Sequence, residues 1–354
     1  MVRILGIETS CDETAIGIVQ DGRQILANVV SSSQDFHKPY GGVVPEIAAR
    51  VHVEVIWQVC EEALRVGGCS VDDVDAIAVT QGPGLPGALL SGLAFAKGLA
   101  LTLDRPLIPI NHLAAHLYAA EMIDPQLSPP YVGLVVSGGH TLLCIVHPDQ
   151  RFEVLGETQD DAVGEAFDKV AKLLGLGYPG GPVIDRLSDE GQSTIAFPRS
   201  RTKDAFAFSF SGLKAAVYNH VKKQAGDNGQ GTARPGESER RAGVDSGPQR
   251  KDIADIAASF QEAAVEALVA KTIRACQRTG IRELAVGGGV ACNRRLRARL
   301  AEAATEHKIR VVFPPPVLCV DNGAMIAGLA CEQLRRGRHA ALSLNSDPAL
   351  ALAS

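Results

Sequence analysis

The chain has 354 residues, of which 46% are hydrophobic and 21% charged, with a net charge of −5. That length accommodates two domains with a core each, and the composition excludes a disordered or collagen-like chain. The negative charge excludes a surface that is basic throughout, so any nucleic acid must meet a local patch or a partner's charge.

The N-terminus, Met1-Val2-Arg3-Ile4, runs straight into a predicted strand, without a cleavable apolar leader or an Arg/Ser-rich transit segment. Gly and Pro interrupt every apolar stretch before the roughly 20 residues a bilayer span needs, so the expected location is the cytoplasm, with no membrane partner. The eight cysteines form no Cys-x-x-Cys pair and read as buried or incidental thiols.

Residues 3–30 read as paired strands, Val51 to Arg65 has helical spacing, and Ala76-Ile77-Ala78-Val79 is a short buried strand. An apolar helix from Ala88 to Leu101 follows the turn at Gly82-Pro83-Gly84. Leu107-Ile108-Pro109-Ile110 is a further strand, and a helix starts near His112. A second hairpin at 131–146 opens the same order again: Leu284-Ala285-Val286, the turn Gly287-Gly288-Gly289, a basic helix, the strand Val311-Val312-Phe313 and a helix from about Asp321. Laying the segment from Leu5 over that from Val132 puts Gly6 on Gly133, Ser10 on Ser137, Thr14 on Thr141 and Val19 on Val146. The chain therefore reads as a duplicated α/β protein with lobes at 1–128 and 129–354, the second enlarged between about 150 and 280. Within that enlargement Val163, Phe167, Val170 and Leu174 form the apolar stripe of a helix, while Asp161, Glu165, Asp168 and Lys172 share its other face. Residues 225–250 are polar and Gly-rich and read as a surface loop.

In each hairpin, small residues join two apolar runs. Such turns let backbone N–H groups approach phosphate oxygens, and two of them facing across a cleft would grip a nucleotide. His112 and His116, one helical turn apart, suit a divalent metal, although two histidines at this spacing are more often an ordinary helix surface. Duplication adds Asp321, which opens the equivalent helix of the second lobe; its ordinary alternative is a helix cap. Two His and one carboxylate suit Fe(II) or Zn(II). Gly287-Gly288-Gly289 followed by Asn293 could meet an anion or a purine. Pro179-Gly180-Gly181-Pro182, with Asp185 a turn later, could meet a ribose or be a plain loop. Asp12 and Glu13 in the first turn could hold a metal, act as a base or cap local backbone. Arg294, Arg295, Arg297 and Arg299 form either a solvated helix face or a patch for RNA.

The motifs Gly6 to Thr14, Gly41-Gly42-Val43-Val44-Pro45-Glu46, Gly82-Pro83-Gly84, His112-x-x-x-His116, Ser137 to Thr141 and Gly164 to Lys169 resemble those of the universal tRNA threonylcarbamoyladenosine-modifying transferases. So do Tyr178 to Pro182, Phe208 to Lys214 and Asp321-Asn322-Gly323-Ala324. This family was once described as O-sialoglycoprotein endopeptidases. The resemblance implies the duplicated actin/sugar-kinase/Hsp70-like (ribonuclease-H-like) fold with a central nucleotide cleft. It implies transfer of the threonylcarbamoyl group from threonylcarbamoyl-adenylate to N6 of the adenosine 3′ to the anticodon, in tRNAs reading codons that start with A, with release of AMP. It also implies His112, His116 and Asp321 as ligands of one divalent metal, Fe(II) with Zn(II) as the alternative. Val135, Val136, Ser137, Gly138, Gly139, Asp168, Gly181, Asp185 and Asn293 are implied as adenylate-binding residues. Asp12 or Glu13 as acceptor of the amine proton is our own inference. The bacterial form of the family pairs with a smaller, catalytically silent relative and a small ATPase. Ala114-Ala115 and Asn111 depart from the family's usual residues beside the two histidines. The competing readings are a metal-dependent peptidase, which lacks the Glu of His-Glu-x-x-His, and a non-catalytic nucleotide-binding partner subunit, which needs no metal ligands.

Overall fold

The hairpins expected at 3–19 and 131–146 pair in one and the same register. Ile4 faces Val19 and Gly6 faces Gly17 in the first; Tyr131 faces Val146 and Gly133 faces Cys144 in the second. The parallel neighbour agrees as well, with Gly6 beside Ala78 and Gly133 beside Ala285.

The computed structural model describes residues 1–199, 202–227 and 250–352. The chain forms β1 (Arg3–Glu8), β2 (Glu13–Gln20), β3 (Gln24–Ser32), α1 (Gln34–His37), α2 (Pro45–Gly67), β4 (Ala76–Gly82), α3 (Pro86–Leu103), β5 (Leu107–Asn111) and α4 (His112–Ile123). It continues through β6 (Tyr131–Val136), β7 (Thr141–Val146), β8 (Phe152–Glu157), α5 (Val163–Leu173), α6 (Gly180–Leu187), α7 (Ser211–Asp227) and α8 (Arg250–Thr279). Then come β9 (Glu283–Gly287), α9 (Arg294–Glu306), β10 (Arg310–Val312), α10 (Pro316–Cys319) and α11 (Gly323–Arg335). The sheets are ordered β3-β2-β1-β4-β5 and β10-β9-β6-β7-β8, so the second repeats the first strand for strand. This is the duplicated two-lobe α/β fold.

Each lobe's last helix packs against the other lobe's sheet: α11 lies on β1 and β2, and α4 lies on β6 and β9. The duplicated glycine serves this crossing. A Cβ at Gly6 would fall 2.5 Å from the Gly323 carbonyl oxygen of α11, and one at Gly133 would fall 2.7 Å from Leu117 of α4. The inner core therefore joins both lobes, with Ile4, Ala78, Leu117, Val135, Ala285 and Met325 in a single buried cluster. Separate cores fill the outer faces, Ile16, Ile56 and Leu93 in the first lobe and Val136, Phe167 and Phe260 in the second.

Two expectations change. Among the described residues α3 is, by length and composition, long and apolar enough to cross a membrane. In this fold it lies on α2 and β4 and buries one face, with Ala88, Leu89, Leu93 and Ala96, while Leu90 and Leu101 are exposed. Of the loop expected at 225–250, residues 225–227 belong to α7 and Arg250 opens α8; residues 228–249 lie outside the described residues.

Candidate metal and adenylate site

The two crossing helices bring their first turns together. Asn111 caps α4 by accepting from the N–H groups of Leu113 and Ala114, and Asn322 caps α11 by accepting from that of Met325. Asp321 is therefore not the cap that its position suggested, and its carboxylate is left to face the histidines. His116 Nε2 is 3.2 Å from Asp321 Oδ1, His112 Nε2 is 3.5 Å from the same oxygen, and the two Nε2 atoms are 3.2 Å apart. A cation held at roughly 2.0–2.2 Å by N and O ligands needs its ligand atoms about this far apart. Two buried imidazole nitrogens facing each other and a carboxylate favour a shared cation or proton. His112, His116 and Asp321 form a group able to hold a metal ion, so the residues present fit the metal that the sequence implied.

Glu8, at the end of β1, supports this group from behind. It is fully buried. Its Oε2 accepts from His112 Nδ1 at 2.9 Å and from the Thr80 hydroxyl at 2.6 Å, and its Oε1 accepts from the Ser10 N–H. With Nδ1–H donated to Glu8, His112 turns its Nε2 lone pair toward the cluster, as an outer carboxylate does for a metal-bound histidine. Burial alone would lower His112, but the Glu8 and Asp321 charges hold it up at about 9. Burial likewise opposes the charge on Asp321, yet His112 and His116 hold that carboxyl down at about 2. His116 Nδ1 is buried without a hydrogen-bond partner. The His140 imidazole is lowered to about 4 by burial and then by the charges of His112 and His116.

The second turn borders this cluster. Ser137 N–H donates to the His140 carbonyl at 2.8 Å, and Ser137 Oγ accepts from His140 N–H at 3.1 Å. Added methyl groups at Gly138, Gly139 or Gly181 would meet nothing within 4 Å, which leaves these backbones open to a ligand. Val135 and Val136 have no exposed surface and pair within the sheet, so neither offers a ligand any surface in this structure. Asp168 on α5 accepts from Gly180 N–H at 2.7 Å. Burial, against these backbone bonds and with Asp12 nearby, pushes it up to about 6. Asp12 also acts on Tyr178, whose hydroxyl is held far up by burial and then by Asp12 and Asp168. Burial, then the charges of Asp12 and Asp321, push the Glu13 carboxyl up, and its Oε1 accepts from the Ser32 hydroxyl at 3.3 Å.

At the far end, Asp185 Oδ2 accepts from Arg294 Nε at 2.8 Å beside a cavity of about 400 Å³ lined by Asp185, Gln261, Arg294 and Arg295. Asn293 caps α9 through Leu296 N–H and donates to Gln261 Oε1 at 2.7 Å, so both ends of its amide already have partners. Of the three adjacent glycines, two answer to packing. A Cβ at Gly287 would fall 2.5 Å from the His116 carbonyl oxygen. Gly288 has φ of +92° and lies against the Val136 backbone. Only Gly289 is open, toward Val320.

The sequence matches the tRNA N6-adenosine threonylcarbamoyltransferase family over residues 24–328. The chain belongs to this family. It is 48% identical to the tRNA N6-adenosine threonylcarbamoyltransferase of Clostridium perfringens, over 99% of this chain and 98% of that one. The enzyme of that name from Anaeromyxobacter dehalogenans is 50% identical over 99% of both. Among solved structures, HypF of T. kodakarensis superposes with a TM-score of 0.61 at 15% identity, covering 94% of this chain and 48% of that one, a likeness of fold.

Against the readings that this threonylcarbamoyltransferase family suggested, the structure gathers His112, His116, Asp321 and the 137–139 turn at one end of the cleft. Asp168 is bonded to Gly180, Asp185 to Arg294 and Asn293 to Gln261, away from the three ligand atoms. The four arginines are engaged within the protein: Arg294 with Asp185 and Asp189, Arg295 and Arg299 with Glu262. Arg297 donates to the Ala291 and Pro314 carbonyls and lies over the Phe313 ring. Glu8, His140 and Tyr178 were missed as individual site residues. Each stands inside a motif singled out in the sequence, but its partner is distant along the chain.

Proposed function

We propose that His112, His116 and Asp321 hold one divalent metal, Fe(II) with Zn(II) as the alternative, at the end of a cleft that binds threonylcarbamoyl-adenylate. The observation that carries this is the convergence of three ligand atoms, 3.2–3.5 Å apart, beside a glycine turn open to a ligand. The family reaction acts on tRNA. The amine nitrogen N6 of the adenosine 3′ to the anticodon forms a bond to the carbamoyl carbon of the adenylate. The bond from that carbon to the phosphate oxygen breaks, AMP leaves with the electron pair, and the amine proton must be accepted.

When bound, the metal supplies positive charge that orients and polarises the acyl donor. The chain's own residues do the rest. Gly138, Gly139 and Gly181 let the adenylate approach the backbone, Asp168 and Asp185 border its path, and the cleft fixes donor and acceptor in one geometry. Of the two acids in the first turn we assign proton acceptance to Asp12, because the Glu13 carboxylate already accepts from the Ser32 hydroxyl. Asn293 contributes as the cap that places α9, and reaches the adenosine only by exchanging its bond to Gln261. We assign the lobes to 1–128 and 129–354 and the location to the cytoplasm. A smaller paralogous subunit and a small ATPase are the proposed partners.

The test is mass analysis of nucleosides from unmodified tRNA incubated with the metal-loaded protein, its partner subunits, threonine, bicarbonate, ATP and the enzyme that forms the adenylate. Threonylcarbamoyladenosine should appear only when this chain is present. Its absence with all components active would overturn the reading.

A further inference from the structure

Two buried histidines in the stretch between β3 and the middle of α2 take no part in the chemistry above. Both His37 and His52 have no exposed surface. Buried ring nitrogens need partners, and here the partners dictate which nitrogen carries the proton. His52 Nε2 is 2.9 Å from the Cys11 carbonyl oxygen, which can only accept, so Nε2 carries hydrogen. Its Nδ1 then accepts from the Thr14 hydroxyl at 2.7 Å. His37 Nδ1 is 3.2 Å from the Val44 backbone nitrogen, an N–H that can only donate, so Nδ1 is bare and Nε2 carries hydrogen. That Nε2–H donates to Ser33 Oγ at 3.0 Å, and Ser33 spends its own hydrogen on the Asp12 carbonyl at 2.8 Å. The Ser33 N–H donates to the same carbonyl at 2.9 Å.

Two consecutive carbonyls of the first turn, Cys11 and Asp12, are therefore each fixed by a histidine system arriving from α1 and α2. The Gly41–Glu46 motif supplies the end of one relay, since Val44 anchors His37. Among the described residues the turn of the second lobe is held differently, by Ser137 and His140 bonding to each other and by the Gly164 N–H of α5 donating to the Ser137 carbonyl. With both carbonyls held, the peptide planes on either side of the Asp12 Cα are fixed, and so is the direction in which its side chain leaves the turn.

We propose that His37 and His52 are positioning residues of the transfer reaction, which as neutral Nε2–H imidazoles orient Asp12 in the cleft without touching substrate. This rests on the assignment of Asp12 as proton acceptor. Burial, partly offset by the Cys11 carbonyl, lowers His52 and keeps it in the neutral form that the relay needs.

The test is single-turnover transfer from threonylcarbamoyl-adenylate to tRNA by the metal-loaded full chain with its partner subunits, for His37→Leu, His52→Leu, His37→Gln and His52→Gln. A glutamine amide can restore the donor that Nε2–H provides; leucine cannot. The leucine variants should lower kcat about 10- to 100-fold with KM for the adenylate changed less than about twofold, as expected for misplacement by under an ångström. Glutamine should recover most of the loss. Adding His52→Leu to Asp12→Asn should cost nothing further, because both act through one group. Leucine variants with full kcat, or glutamine variants no faster than leucine while equally folded, would overturn the proposal. Should leucine prevent folding, the glutamine variants and the double variant His52→Gln with Asp12→Asn decide alone. If Asp12→Asn itself keeps the full rate, the assignment of Asp12 fails. If Asp12→Asn is slow while the histidine variants are not, the positioning role fails by itself.

Discussion

Glu8 Oε2 and His112 Nδ1 lie 2.9 Å apart, both groups buried, joining the last residue of the first strand to the first residue of the fourth helix. The contact makes the metal group an extension of the first turn, since the same carboxylate also accepts from Ser10 and Thr80.

Replacing Glu8 by Gln keeps the shape and removes the charge that supports His112. Metal affinity should fall about 10- to 100-fold, the usual cost of losing an outer-sphere partner. Competition with a chelator measures this; unchanged affinity would show that His112 needs no such support.

His112→Ala, His116→Ala and Asp321→Ala should each reduce bound metal and transfer activity while the fold survives, because these side chains converge on one another. Elemental analysis alongside circular dichroism checks it. Full occupancy in all three variants would dismiss the cluster as a metal site.

The pH dependence has opposite signs with and without metal. In chelator-treated protein, His112 is held up at about 9, above its ordinary value. Its contribution to stability is then fully present below the ordinary histidine range and lost as pH rises through about 9. Metal must displace that proton, so metal affinity should rise by up to about tenfold per pH unit from 7 toward 9. Melting temperatures of the metal-free protein, and metal titrations across the same range, test the two signs. A flat metal affinity would mean that no proton is displaced.

Glycine substitutions separate packing from binding. Gly181→Ala adds a methyl group with nothing within 4 Å, in a helix where alanine is favoured, so stability should hold or rise by up to about 1 kcal/mol. AMP affinity should nevertheless drop if the adenylate approaches that backbone. Gly164→Ala puts a Cβ 2.6 Å from the Ser137 carbonyl oxygen and should destabilise the turn itself. Thermal unfolding and AMP calorimetry on both variants provide the contrast.

Arg297→Ala should cost stability, about 1–3 kcal/mol for its two charged bonds to carbonyls, and leave the salt dependence of tRNA binding unchanged. A flatter salt slope with an unaltered melting temperature would instead place this guanidinium on RNA phosphate.

What the sequence determined by itself is local or repeated. The strand pairs, the helix stripe through Phe167 and the match of Gly6 to Gly133 depend on periodicity and on spacing within one lobe, and both are readable along a chain. The pairing of His112 with Asp321 was also within reach, because duplication supplies a long-range relation that spacing alone does not. Tertiary structure decided how each polar group is satisfied. Asp321 is spared from capping because Asn322 caps, Asn293 is tied to Gln261, and Gly287 is required by the carbonyl of His116. Glu8 orients His112 rather than merely ending a strand. A buried polar atom must find a partner, and in a fold whose last helices cross between lobes that partner is set by packing, at separations no local pattern records.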